Sequence, residues 1–109
     1  MFTNILVPVD LTDVHRPLLE ITARLAQAND GQVTLLHVVE AISEVWATED
    51  REFYSRLEQR ARDHLARLGH ALQERGVARR EEIVFGHRAP EIVRYAGEIG
   101  ADLIVLKSQ

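Results

Sequence analysis

Apolar residues fall along this chain in two arrangements, short uninterrupted runs and longer stretches where they recur every three or four positions. The runs are Ile5-Leu6-Val7-Pro8-Val9, Val33-Thr34-Leu35-Leu36-His37-Val38-Val39, Glu82-Ile83-Val84-Phe85 and Leu103-Ile104-Val105-Leu106. A strand with one wet face alternates polar with apolar. These runs barely do, which predicts strands covered on both sides, as in a parallel sheet. The first, from Asn4 to Asp10, is expected to be the central strand. Pro8 stands one residue before its last apolar position, where a missing N–H costs least, and Asp10 sets a carboxylate just past its end.

The periodic stretches predict helices. Leu18, Ile21, Thr22, Leu25 and Ala26 form one stripe, capped by Thr12 or Asp13 and with Pro17 in the first turn. Asn29-Asp30-Gly31 ends that helix, with Gly31 the expected left-handed residue. A loop with Ile42, Val45 and Trp46 leads to a helix from about Glu49 to Arg75, striped by Phe53, Leu57, Ala61, Leu65, Leu68 and Leu72 and terminated at Gly76. His87-Arg88-Ala89-Pro90-Glu91 opens a third helix with Ile92, Val93, Ala96 and Ile99 on its buried side and Gly100 at its close. The order is βαβαβαβ. Strands alternating with crossover helices define an α/β fold, an open doubly wound parallel sheet, in a single domain over residues 1–109.

Composition narrows the function classes without choosing one. With 46% hydrophobic and 28% charged residues the 109-residue chain is an ordinary globular protein. A net charge of −4 and no basic stripe for a run of phosphates argue against nucleic acid. The chain has no cysteine, which excludes disulfides, thiolate catalysis and thiolate metal sites. No apolar run approaches a membrane span, and Phe2-Thr3-Asn4 leads straight into a strand without a signal-like segment, so a cytoplasmic location with no membrane partner is expected.

In open α/β sheets ligands bind outside the carboxyl ends of the strands, which makes Asp10 the first candidate for chemistry. A strand-end carboxylate also orders turns and caps helices, and both roles stay open here. His37, inside an apolar run with no second ligand at strand spacing, is expected to be a satisfied core histidine. His64 and His70 are six apart and fall on different helix faces, and His15 with His87 lacks a third ligand, so no metal site is expected. Trp46 covers a sheet edge or packs on a ligand or partner subunit. The charges from Arg51 to Arg75 are expected to be a solvated face. No dinucleotide fingerprint, phosphate-binding P-loop, nucleophile elbow or cysteine nucleophile is present, so no catalytic residue is proposed and the chain is not expected to be an enzyme.

Ile-Leu-Val-Pro-Val-Asp at 5–10, Leu-Leu-His-Val-Val at 35–39, Gly86 followed by Pro90-Glu91-Ile92, and Gly-Ala-Asp-Leu-Ile-Val at 100–105 together resemble the universal stress protein family, in order and in spacing, over essentially the whole chain. The resemblance implies an adenine nucleotide alpha hydrolase-like, Rossmann-like sandwich with strand order 3-2-1-4-5, commonly dimeric, and in one subfamily a bound ATP. It places nucleotide contacts at Pro8, Val9 and Asp10, at Val38 for the adenine edge, and at Leu106. It also implies a glycine loop after the fourth strand. Here Lys107 stands at the first glycine, and residue 109 comes before the second, so the chain is expected to be a C-terminally truncated version of the family domain, with the exposed fourth strand favouring a homodimer or higher homo-oligomer.

Two functions follow from that resemblance. In one the domain acts by dimerisation and protein association in a stress response, without phosphate binding by a glycine loop. The alternative is an ATP-binding, nucleotide-responsive switch built on Asp10 and Val38. Lys107 favours the first, because a side chain crowds the backbone approach that a phosphate needs; Asp10 favours the second.

Overall fold

The structure, a computed structural model, describes residues 2–11, 16–40 and 51–106. Its elements are β1 (Asn4–Pro8), α1 (Arg16–Asn29), β2 (Gln32–Glu40), α2 (Arg51–Glu74), β3 (Ala78–Gly86), α3 (Arg88–Ile99) and β4 (Leu103–Ile104). Thr12, Asp13, His15, Ile42, Val45, Trp46 and Lys107 lie outside the described residues. The sheet has the order β3-β2-β1-β4, all neighbours parallel, with β1 between β2 and β4 as the buried run at its centre predicted.

Alternation along the strands divides the core in two. Ile5, Val7, Val9, Val33 and Leu35 point to the face covered by α1 and α2, where Ala23, Leu65 and Leu72 meet them. Leu6, Leu36 and Val38 point to the opposite face, under Ile92 and Tyr95 of α3. With helices on both faces, every residue from Ile5 to Val9 is buried, which is why that run carries no polar position. Burial pushes the Tyr95 phenol above its ordinary pKa, with the Glu82 carboxylate adding to the shift and Arg80 opposing it. No helix among the described residues is long and apolar enough to cross a membrane.

Several sequence expectations are corrected by the packing. β3 begins at Ala78 rather than Glu82, and Arg79, Arg80 and Glu81 continue the ladder opposite Val33, Thr34 and Leu35. An edge strand tolerates charged side chains, and those charges hid its first half. On α1 the buried residues are Leu19, Thr22, Ala23 and Ala26, while Ile21 is 56% exposed, so the helix is turned from the expected stripe. On α3 the buried residues are Ile92 and Tyr95, and Val93 is 70% exposed. An aromatic ring reaches farther toward the sheet than the valine two positions away. Phe53, on the expected stripe of α2, is half exposed and stacks edge-on against Tyr54 instead. β4 is two residues long rather than four, although Val105 N–H still donates to the Leu6 carbonyl at 2.9 Å.

The turn before β2 reassigns two roles. Asp30, not Gly31, takes the left-handed conformation, with φ 54°, which the short polar side chain of aspartate tolerates. Gly31 is needed for close approach: a Cβ there would sit 2.8 Å from the Phe2 carbonyl oxygen. At the end of α3 the expectation holds, with Gly100 left-handed at φ 66° and its N–H turned back to the carbonyls of Ala96 and Gly97.

Asp102 ties the amino end of β1 to the approach into β4. Its carboxylate accepts from the Thr3 N–H at 3.0 Å, the Asn4 N–H at 3.1 Å and the Thr3 hydroxyl at 3.3 Å, and its own N–H donates to the Asn4 carbonyl at 2.9 Å. The Thr3 N–H leads these donors in holding the carboxyl below its ordinary pKa of 3.8. A carboxylate with a depressed folded pKa contributes stability that is present above the unfolded value and is lost as pH falls through the folded one. The urea midpoint is therefore expected to drop as pH falls below about 4 by more in the wild type than in Asp102→Asn, which has no charge to lose. Equal slopes in the two proteins would remove this account of the clamp.

Candidate functional site

Main-chain bonding at the carboxyl ends of the central strands sets the site. The β1–β2 ladder runs to Pro8 opposite Leu36 and closes with Val9 N–H donating to the Leu36 carbonyl at 2.8 Å. The Val9 carbonyl lies 2.9 Å from His37 Nδ1. A carbonyl only accepts, so Nδ1 carries the proton. His37 is thus the satisfied core histidine its surroundings predicted, and it fixes the last turn of chain before Asp10.

Successive residues of a strand direct their N–H and C=O alternately to the two neighbours. Leu36 faces β1 through its carbonyl, so Val38, two residues on, also directs its main chain toward the β1 side, beyond the last ladder bond. The Val38 side chain is buried under α3, which leaves only its main chain to meet a ligand. Asp10, half-buried, follows directly on Val9 at the head of the same cleft. On the opposite flank the chain leaves β4 through Val105, bonded to Leu6, and Leu106 comes next, 57% exposed.

Pro8, Val9, Asp10, Val38 and Leu106 therefore gather at the carboxyl edge of three adjacent strands. They do not contribute alike. Val9 is 1% exposed, its side chain belongs to the α1–α2 core and its carbonyl is taken by His37, so it acts as a wall. Pro8 has no N–H to offer. Asp10 supplies the charge, Val38 a main-chain edge, and Leu106 an apolar surface.

The cleft also lies where the winding of the sheet reverses. From β1 the chain passes through α1 to β2 on one side, while β3 returns through α3 to β4 on the other, so the crossovers part at the ends of β1 and β4. That switch point is the usual ligand position in an open α/β sheet. Among the described residues no group of three or more histidine, aspartate or glutamate side chains is placed to hold a metal ion.

Sequence reasoning missed a second concavity. A cavity of about 560 Å³ lies between α1 and α2, with Leu11 and Arg16 at one end and Leu72 and Arg75 at the other. Its signal was present along α2 and just past its end, where Arg60, His64, Arg67, Ala71 and Arg75 recur at steps of three and four. Their charge made that stretch look merely solvated, yet His64 is only 8% exposed.

Fold and cleft define the class: a doubly wound α/β domain of the kind that takes a small ligand at the carboxyl edge of its central strand. The particular family follows from sequence, because the universal stress protein family matches residues 1–109, and the chain belongs to it. Its sheet and helices have the Rossmann-like, adenine nucleotide alpha hydrolase-like arrangement of that family. A universal stress protein family member from Burkholderia pseudomallei superposes with a TM-score of 0.83 at 24% identity, covering 98% of this chain and 82% of that one. UspA from Lactobacillus plantarum gives 0.82 at 26% identity, with 96% of this chain and 76% of that chain covered. A family protein from Arabidopsis thaliana, solved with AMP bound, gives 0.73 at 20% identity, with 97% and 76% covered. Others of the same fold were solved in complex with cAMP and, from Archaeoglobus fulgidus, with dAMP. Comparison with curated proteins by sequence returns no match.

Proposed function

We propose that this domain binds an adenine nucleotide in the cleft outside the carboxyl ends of β1 and β4 and works as a nucleotide-responsive regulatory module. The observation that carries the reading is the convergence of Asp10, two residues past the end of β1, with the main chain of Val38, two residues past the Leu36 carbonyl that accepts the last β1–β2 bond. A carboxylate accepts from the two ribose hydroxyls, and a strand's main chain offers a donor and an acceptor to the edge of adenine. Leu106 gives the nucleoside an apolar flank. Relatives solved with AMP, cAMP and dAMP support this choice over association alone, because a monophosphate gives adenosine a grip without a long phosphate cradle.

Regulation requires that nucleotide favour one state of the domain over another, since a ligand with equal affinity for both shifts nothing. The direct test is calorimetric titration of AMP, and of ATP with Mg²⁺, into the purified chain and into Asp10→Ala. Saturable binding is expected, weakened about tenfold or more in the variant, the scale of losing hydrogen bonds to a charged group. Absence of saturable heat with a chain folded by circular dichroism, or identical affinities for wild type and variant, would refute the site.

A further inference from the structure

The cavity between α1 and α2 is separate from the nucleotide cleft, and its chemistry differs. Leu19, Leu68 and Ala71 give it an apolar body, while Arg16, Arg67 and Arg75 bring guanidinium groups to its rim. Glu20 is the one carboxylate on that rim, and it is engaged by Arg75, whose own carbonyl accepts from Gln27 at 2.8 Å. Arg67 approaches His64 Nδ1 at 3.5 Å, and neither Arg16 nor Arg67 pairs with a carboxylate among the described residues. An adjoining depression of about 200 Å³ shares Leu11, His64 and Arg67 and adds Arg60 and Asp63. Together the two keep an excess of two positive charges on a chain whose net charge is −4.

We infer that this groove is a binding site for a single-chain amphipathic anion, an aliphatic tail carrying a carboxylate. Three features select that class. The volume lies inside the range of about 300–1,000 Å³ in which proteins hold small molecules, and the lining is apolar with a few convergent polar groups, as such sites require. The shape is elongated: along α2 its lining runs from His64 to Leu72, eight residues or about 12 Å at the rise of an α-helix, with Arg75 just past the helix end. That suits an extended chain better than a compact ring system. The charge is placed at the Leu11 end, where Arg16 and Arg67 pair with no carboxylate among the described residues and the one carboxylate nearby, Asp63, accepts from Gln59 and is outweighed by Arg16, Arg60 and Arg67; a guanidinium binds a carboxylate through two parallel N–H donors. The tail lies along Leu68 and Ala71, and the head sits between the two arginines.

Sodium decanoate, used below its micelle-forming concentration, is the probe. Calorimetry of the whole chain is expected to show saturable one-site binding, with backbone amide shifts in nuclear magnetic resonance centred on Leu19, Arg67 and Ala71. 1-Decanol, which has the tail without the charge, is expected to bind at least fivefold more weakly. Arg67→Glu reverses an exposed charge and is expected to weaken decanoate tenfold or more; Ala71→Trp fills the groove and is expected to abolish binding. AMP affinity is expected to be unchanged in both variants, which separates this site from the nucleotide cleft. If Ala71→Trp fails to fold, Arg67→Glu carries the test alone. The inference is overturned by non-saturating heat, by amide shifts centred on Asp10 and β4, by equal binding of decanol, or by a decanoate affinity indifferent to Arg67→Glu.

Discussion

Leu35→Ala is expected to cost about 3 kcal/mol of unfolding free energy, within the ~2–5 kcal/mol range of leucine truncations in close-packed cores. Leu35 is fully buried at the middle of β2, paired to Val7 on one side and to Glu81 on the other, and its side chain lies in the α1–α2 core. Neighbours held by two ladders relax little into the vacated volume, so the cavity term adds to the lost transfer energy. Val93→Ala is the matched control. It removes methyl groups from a side chain that is 70% exposed and is expected to change stability by no more than about 0.5 kcal/mol. Equilibrium urea unfolding of the two variants measures both. Against a total stability of about 5–15 kcal/mol the first loss is a large fraction. A cost below about 1 kcal/mol for Leu35→Ala, or equal costs at the two positions, would contradict the assignment of the core.

The contrast between those positions also shows how far the sequence could be read. Strands buried on both faces announce themselves by composition, so β1 and β2, the crossover order and the place of β1 at the centre were legible from apolar runs alone. Helix faces were less so. Val93 and Ile21 fit an apolar stripe by spacing, yet Tyr95, Leu19 and Ala23 are the residues turned inward, because the sheet selects the face by shape and reach as well as by hydrophobicity. The first half of β3 was hidden for the opposite reason. An edge strand has little need of apolar side chains, and only its ladder with β2 reveals it. The cleft was legible because Asp10 follows a central strand, a topological argument. The α1–α2 groove was not, since Arg60, Arg67 and Arg75 along a helix and just past its end are the ordinary signature of solvation until a second helix leaves a gap beside them.

AMP at a hundredfold excess over its dissociation constant is expected to raise the unfolding free energy by about 2.7 kcal/mol, because a ligand bound only by the native state adds RT ln(1 + [L]/Kd). For a chain of 109 residues, near the size at which 1 kcal/mol moves the melting temperature by about 4 °C, that is a rise of about 10 °C. Asp10→Ala distinguishes the two roles open to this carboxylate. If Asp10 grips ribose, a tenfold weaker variant at the same AMP concentration retains about 1.4 kcal/mol, so the AMP-induced rise falls to roughly half while the melting temperature without nucleotide changes little. If Asp10 only orders the turn after β1, the variant melts several degrees lower without nucleotide, by the ~1 kcal/mol typical of a lost cap, and the AMP-induced rise stays whole. Differential scanning calorimetry with and without AMP reads both quantities from one sample. Placement of Asp10 past the last β1–β2 bond, with Val9 anchored through its N–H to Leu36 and through its carbonyl to His37, favours the first outcome, because the end of the strand is already held by bonds to β2.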